Sequence, residues 1–269
     1  MDGWVYGAAP QFDRDRAGVK LEPDMTAMAT RSPRFVLFAA TAALMTSCAA
    51  YVEQRVESAI LEALPQALGS ADRYEAQVQG ANGDATHFDQ VRAIGVWVRR
   101  ARTPVLDRVE TQLQDVTVDR QAKRVTAIGD AKATVRLKDA DLAAYLRQQP
   151  WIENPAVRFN DASQIVVTGR LKLPGIALIT NQDAEFRGRL VPRESRLLML
   201  VESVRYGNRE APAVARGLIE QAINPVIDTA AYAVPSRIDA VSVEGDTLVV
   251  DASGSRMQAR NVGKNLSGS

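Results

Sequence analysis

The run Val109–Asp119 alternates apolar and polar residues along its length, which is the period of a strand with one wet face. The pattern recurs. Tyr74–Gly80, Val91–Val98, Arg124–Gly129 and Ala131–Leu137 read as strands, with Gly129-Asp130 as a bulge or turn between the last two. Ala156–Phe159, Gln164–Leu173, Ile176–Ile179, Ala184–Val191 and Arg196–Val204 follow. The final pair, Arg237–Val243 and Thr247–Ala252, is joined by the hairpin turn Glu244-Gly245-Asp246. So many short strands with one apolar face predict a mostly antiparallel sheet, and that face needs a cover.

Amphipathic helices supply the cover. From Tyr51, apolar Val52, Val56, Ala59, Ile60, Ala63, Leu64 and Leu68 recur at three- and four-residue spacing. Glu53, Gln54, Arg55, Glu57 and Glu62 fill the other face. Pro65 kinks or ends this helix, and Gly69 supplies a stop. Its polar face carries more acid than base, which favours core packing over lying on a membrane. A short helix is predicted over Lys138–Arg147 and another over Pro212–Ile223, the latter stopped by Asn224-Pro225. No composition break divides the chain into two domains.

The N-terminal region reads differently. Residues 1–27 are polar, broken by Gly and Pro, and lack a period; they read as a disordered leader or a start assigned too early. Residues 28–47 read as a signal peptide. Met25 or Met28 as the start puts Arg31 and Arg34 ahead of the apolar run Phe35–Met45, which is too short to span about 30 Å of hydrocarbon. Met45-Thr46-Ser47-Cys48 resembles a bacterial lipobox, with Met45 where Leu is usual. On that reading Cys48 carries the lipid, and the mature chain is tied to a membrane of the cell envelope, outer or inner, facing the periplasm or the exterior. A signal peptide cut after Ala50, an uncleaved anchor or a buried helix are the alternatives. Residues 48–252 form the single domain, and 253–269 read as a disordered polar tail. Cys48 is the only cysteine, so the fold has no intramolecular disulfide and no cysteine metal site.

The chain has 269 residues and a net charge of +1, which does not point to nucleic acid. About 220 residues remain after the export segment, enough to bury a core without staples.

Certain stretches carry a family likeness. Leu61–Pro65 with Ala71–Gly80, then Ala133–Leu142, then Ala222–Asp228 with Pro235–Ile238 and Gly245–Val250, resemble the LmeA-like phospholipid-binding proteins over residues 52–252. The resemblance implies an α+β fold in which a long curved antiparallel sheet wraps one or two amphipathic helices, as in tubular (BPI-like) lipid-binding domains. It also implies a non-catalytic phospholipid-binding role, for transfer or envelope biogenesis, with no cofactor. Val56, Ile60, Leu64, Val116, Val135, Leu171, Leu198 and Leu200 are the candidates for lining an acyl groove; filled core is the other reading of each. Arg99, Arg100 and Arg102 are candidates for meeting a phosphate headgroup, against a solvated strand end.

Catalytic chemistry finds little support. His87 is the only histidine and sits among Asp84 and Asp89, but no nucleophile elbow accompanies it. One histidine with scattered acids is a weak metal site, and Gly80-Ala81-Asn82-Gly83 lacks the Lys and helix of a phosphate loop. The competing function is an exported envelope hydrolase or a cell-wall assembly scaffold with no lipid groove.

Overall fold

The computed structural model describes residues 53–82, 84, 86–119, 124–160, 163–172, 182–207, 209–231 and 237–258. Helix α1 spans residues 53–68. Its four-residue apolar spacing sets Val56, Ile60, Leu64 and Leu68 along one stripe. Pro65 lies inside the helix and does not end it. The stop is Gly69, at φ +113°, whose N–H donates to the Pro65 carbonyl at 3.0 Å.

Strands β1 (Arg73–Ala81), β2 (His87–Val98), β3 (Leu106–Asp119) and β4 (Arg124–Lys138) run on from there as a meander. Helix α2 (Asp139–Leu146) leads into β5 (Ile152–Asn160), β6 (Gln164–Leu171), β7 (Gln182–Arg193), β8 (Arg196–Tyr206) and the two-residue β9 (Arg209–Glu210). Helix α3 (Ala213–Ile223), β10 (Ile227–Asp228), a 3₁₀ turn at Thr229–Ala231, β11 (Arg237–Glu244) and β12 (Thr247–Gln258) complete the order. All pairings are antiparallel.

These strands form two open sheets, where the resemblance implies one long one. The first has the order β1-β2-β3-β4-β12-β11, and the second β10-β8-β7-β6-β5 with β9 on β8. Helix α2 and the turn through Pro150 separate β4 from β5 and break the hydrogen-bonded ladder there. Two further expectations change. Gly129-Asp130 lies inside the continuous β4, and β12 runs past Ala252 to Gln258, paired with β4 as far as Ala127. Ladder bonds use backbone groups, so Ser253-Gly254-Ser255 extends the strand without apolar side chains. The expected strand Ile176–Ile179, like residues 1–52 and 259–269, lies outside the described residues.

The large core lies between the sheets. Val109, Val135, Leu137, Leu248 and Val250 come from the first; Phe159, Ile165, Val167, Phe186, Leu197 and Met199 come from the second. Leu64 and Leu68 of α1, Leu142 and Leu146 of α2, and Ala215, Ile219 and Ile223 of α3 join it. Trp151 meets Phe186 with ring centroids 6.2 Å apart, at a tilt of 46°.

A second, smaller cluster of Val78, Phe88, Val91 and Val116 occupies the far end of the first sheet. Strict period two would put Phe88 and Val91 on opposite faces. At this level Gly80, Asp89, Asp115 and Gly129 lie opposite one another across β1 to β4, with Gly80 at φ +71° and Asp115 at φ +52°. The left-handed residues shift the phase of the pleat. The alternation read along Val109–Asp119 therefore changes face at Asp115, and Leu113 and Val116 both border the small cluster.

Each sheet has one edge covered by a helix in the same way. On α1, Glu57 Oε1 accepts the Val78 N–H at 3.0 Å and Glu53 Oε1 accepts that of Ala81 at 3.5 Å. On α3, Glu220 Oε1 accepts the Val201 N–H at 2.7 Å, and the Asn224 amide accepts from Met199 N–H and donates to Met199 carbonyl, at 2.7 and 2.9 Å. At each helix a polar pair four residues apart satisfies backbone groups of the neighbouring strand, β1 at the edge of the first sheet and, in the second, the part of β8 between its short partners β10 and β9, so no free ladder is presented there.

Candidate functional site

Cross-strand register aligns the inner face of the first sheet in rows. One row is Tyr74, Gly95, Val109, Val135, Val250 and Val241, which belongs to the large core. Another begins Val78, Val91, Leu113 and belongs to the small cluster, continuing to Ala131 and Gly254. The row between them is Ala76, Ala93, Thr111, Ala133 and Ala252. On β1 to β4 and β12 every side chain in it is small, and at β11 the row ends on the buried Ile238. Thr111 Oγ1 donates to the Ala93 carbonyl at 3.3 Å, so its hydroxyl is satisfied by the backbone. Ala93 and Ala252 are buried, while Ala76, Thr111 and Ala133 are half-buried. The strip thus lies between the rows of the two clusters, with Ala93 and Ala252 part of the large core and exposure retained at Ala76, Thr111 and Ala133.

Helix α1 bridges the two clusters. Val56 packs on the small one, Leu64 and Leu68 belong to the large one, and Ile60 touches both. Of the residues singled out from sequence, Val56, Ile60 and Leu64 share this stripe. Val116 lies in the small cluster and Val135 in the large core beside the strip. Leu171, with no exposed surface, sits deep in the large core. Leu198 and Leu200 lie elsewhere: Leu197, Met199 and Val201 take the core-facing positions of β8, and Leu198 and Leu200 occupy the opposite face of the second sheet, half-buried.

The basic residues 99–102 form the turn after β2. Ser70 bridges to Arg99, so this turn sits at the C-terminal end of α1. Arg99 Nη1 meets Asp72 Oδ1 at 2.6 Å, and that bond and charge raise the guanidinium's affinity for its proton. Tyr145 donates to the Arg102 carbonyl at 3.3 Å; Arg100 and Arg102 are exposed. The first turn of α1 is tied to Ala81, at the other end of β1, about 24 Å away along a sixteen-residue helix. Cys48, outside the described residues, precedes that first turn by five positions.

His87 is half-buried and its Nε2 lies 3.9 Å from Asp89 Oδ1. Asp84, whose carboxyl is lowered by bonds from the Thr86 hydroxyl and N–H, orders the same turn. Among the described residues no three His, Cys, Asp or Glu side chains gather as a metal site, and no helix is long and apolar enough to cross a membrane. Two open recesses are lined mainly by polar groups. The larger, about 640 Å³, lies by Thr168, Asp183, Glu185, Arg187 and Arg205 on the second sheet. Neither has the apolar lining of an acyl site.

Sequence reasoning missed the small-residue strip and the helix-to-edge bonds. The strip is assembled from five strands, and only the register brings its members into line. Glu53 and Glu57 carry the ordinary signature of a wet helix face.

Comparison with curated proteins and with solved structures finds no match. A family model does match, over residues 48–253, which takes in the strip, α1, α2 and α3, and both sheets apart from the last residues of β12. The chain belongs to the LmeA-like phospholipid-binding family.

Proposed function

We propose that the protein is an exported envelope protein, anchored by a lipid on Cys48, that holds phospholipid acyl chains against the inner face of the first sheet beneath α1. The observation that carries this reading is the strip Ala76–Ala93–Thr111–Ala133–Ala252, lying between the rows of two apolar clusters in a chain of a phospholipid-binding family. Small side chains leave depth where larger ones on either side form walls, and each acyl methylene withdrawn from water contributes about 0.8 kcal/mol. Val56, Ile60 and Leu64 of α1 form the roof, Val116 and Val135 the walls. In this reading the curved sheets and α1 make a tube of the BPI-like kind, residues 48–252 are its functional unit, and its task is to carry or present lipid without chemistry on it.

Extraction of the purified protein and mass spectrometry of the extract test the reading. Phospholipid in near-stoichiometric amount is the expected result; a lipid-free protein that takes up none from vesicles would sink it. The anchor is tested separately by palmitate labelling, which should be lost in Cys48→Ser; equal labelling of the two forms would rule out Cys48 as the attachment site.

A further inference from the structure

The strands of the second sheet contain arginine but no lysine. On the face turned away from the core, register sets Arg158, Val166, Arg187 and Ser203 in one row. Thr168, Glu185 and Arg205 form the row on one side; Gln164, Arg189 and Leu200 form the row on the other, with Val191 and Leu198 beyond. Arg187 is paired with Glu185 at 2.8 Å and Arg189 with Glu202 at 2.6 Å. Arg158 and Arg205 are exposed and, among the described residues, have no carboxylate within ion-pair distance. Beyond Thr168, Arg170 and Lys172 pair with Asp183 and Glu153. The face therefore has half-buried Val166 among its arginines and a half-buried apolar flank of Leu200, Val191 and Leu198, and its arginines outnumber its carboxylates.

The first sheet's wet face is built otherwise. Arg73 pairs with Glu75, Arg92 and Arg108 share Glu110, and Arg136 pairs with Glu244. Glu110 is partly buried, yet the bonds from Arg92 hold its carboxyl below the ordinary range. Charge there is largely matched within the sheet.

We propose that the outer face of the second sheet docks on the anionic headgroup layer of a phospholipid bilayer. Guanidinium groups meet phosphate oxygens in a two-pronged fashion that ammonium groups do not. Val166, Val191, Leu198 and Leu200 supply apolar contact beneath the arginine stems. The inference rests on the phospholipid reading above, which makes a bilayer the surface where lipid is collected or delivered.

The test uses the full-length chain with Cys48→Ser, so that no attached lipid contributes. Partition is measured at low salt onto vesicles of phosphatidylcholine alone and of phosphatidylcholine with phosphatidylglycerol, and the ratio of the two is the readout. At about fivefold per charge near an anionic surface, Arg158→Gln with Arg205→Gln should lower that ratio about thirtyfold. Lys132→Gln, on the first sheet's wet face, should leave it unchanged. A wild-type ratio near unity, an unchanged ratio in the double variant, or an equal fall in Lys132→Gln would overturn the proposal. Co-purified phospholipid is measured on the same preparations. Its retention in a double variant that no longer docks supports a docking face separate from the lipid site. Its absence from the wild type defeats the phospholipid reading, while the vesicle ratio still judges the face.

Discussion

Ala133 lies in the middle of the small-residue strip, with Thr111 opposite it on β3 and Ala252 on β12. Along β4 it is flanked on the same face by buried Ala131 and Val135. Replacing it with Leu adds three carbons at a half-buried position. If the strip is the floor of an acyl site, those carbons displace about three methylenes of lipid. At about 0.8 kcal/mol each, the loss is about 2.4 kcal/mol, or about sixtyfold in affinity. If the strip is instead packed core, the same carbons overfill it, and the cost of about 1–3 kcal/mol falls on folding. The two cases separate in one pair of measurements on lipid-stripped protein: the urea midpoint, and phospholipid uptake from vesicles. The expected result is an unchanged midpoint with uptake reduced about sixtyfold. Lipid-loaded wild type should also gain stability from binding that the variant does not. A lowered midpoint with wild-type uptake would refute the assignment and return the strip to the core.

Three further outcomes are expected. Asn224→Ala should cost about 2–4 kcal/mol, because it strands both the N–H and the carbonyl of Met199 on the edge of β8; a fall in urea midpoint equivalent to less than about 1 kcal/mol, at unchanged slope, would show that the edge does not depend on it. Gly80→Ala should destabilise the far end of the first sheet, since the backbone there is left-handed and a Cβ would collide with the Asp89 carboxylate; unchanged hydrogen-exchange protection of β1 and β2 would contradict this. Burial raises the Asp141 carboxyl, and nearby Asp107 adds to this, outweighing Lys138. The folded chain thus holds that proton more tightly than the unfolded one, so Asp141 lowers stability as pH rises from the ordinary carboxylate range through its raised value. Asp141→Asn should be more stable than wild type at neutral pH and indistinguishable at the acid end; superimposable pH–stability curves would exclude the effect.

The strands were legible because period two survives wherever one face is wet, and α1 and α3 because their apolar residues recur every three or four. Face assignment was less legible. From Leu197 to Val201 every residue is apolar, so alternation cannot say which set is inside, and Leu198 and Leu200 emerge on the outer face. Along β3 the phase shift at Asp115 depends on left-handed backbone that Asp adopts without announcing it in sequence. The split into two sheets depends on where the ladder stops, which no single strand encodes. Arg99 follows directly on β2, and its partner Asp72, 27 residues away in sequence, is brought to it by the Ser70 bridge.

The two edge-covering helices separate structural burial from lipid burial. Both tie a polar pair four residues apart to an open stretch of strand, so the bonds alone do not distinguish them. What lies inward does. Beneath α3, Met199 is fully buried and Val201 nearly so, next to Ile219 and Ile223 in the continuous large core; that helix closes a filled space. Beneath α1 the core is divided, with Ile60 spanning from one cluster to the other and the half-buried Ala76, Thr111 and Ala133 lying in the interval. The same device is thus applied once over large packed side chains and once over a strip of small ones. On the reading proposed above, an acyl chain lies in that second interval.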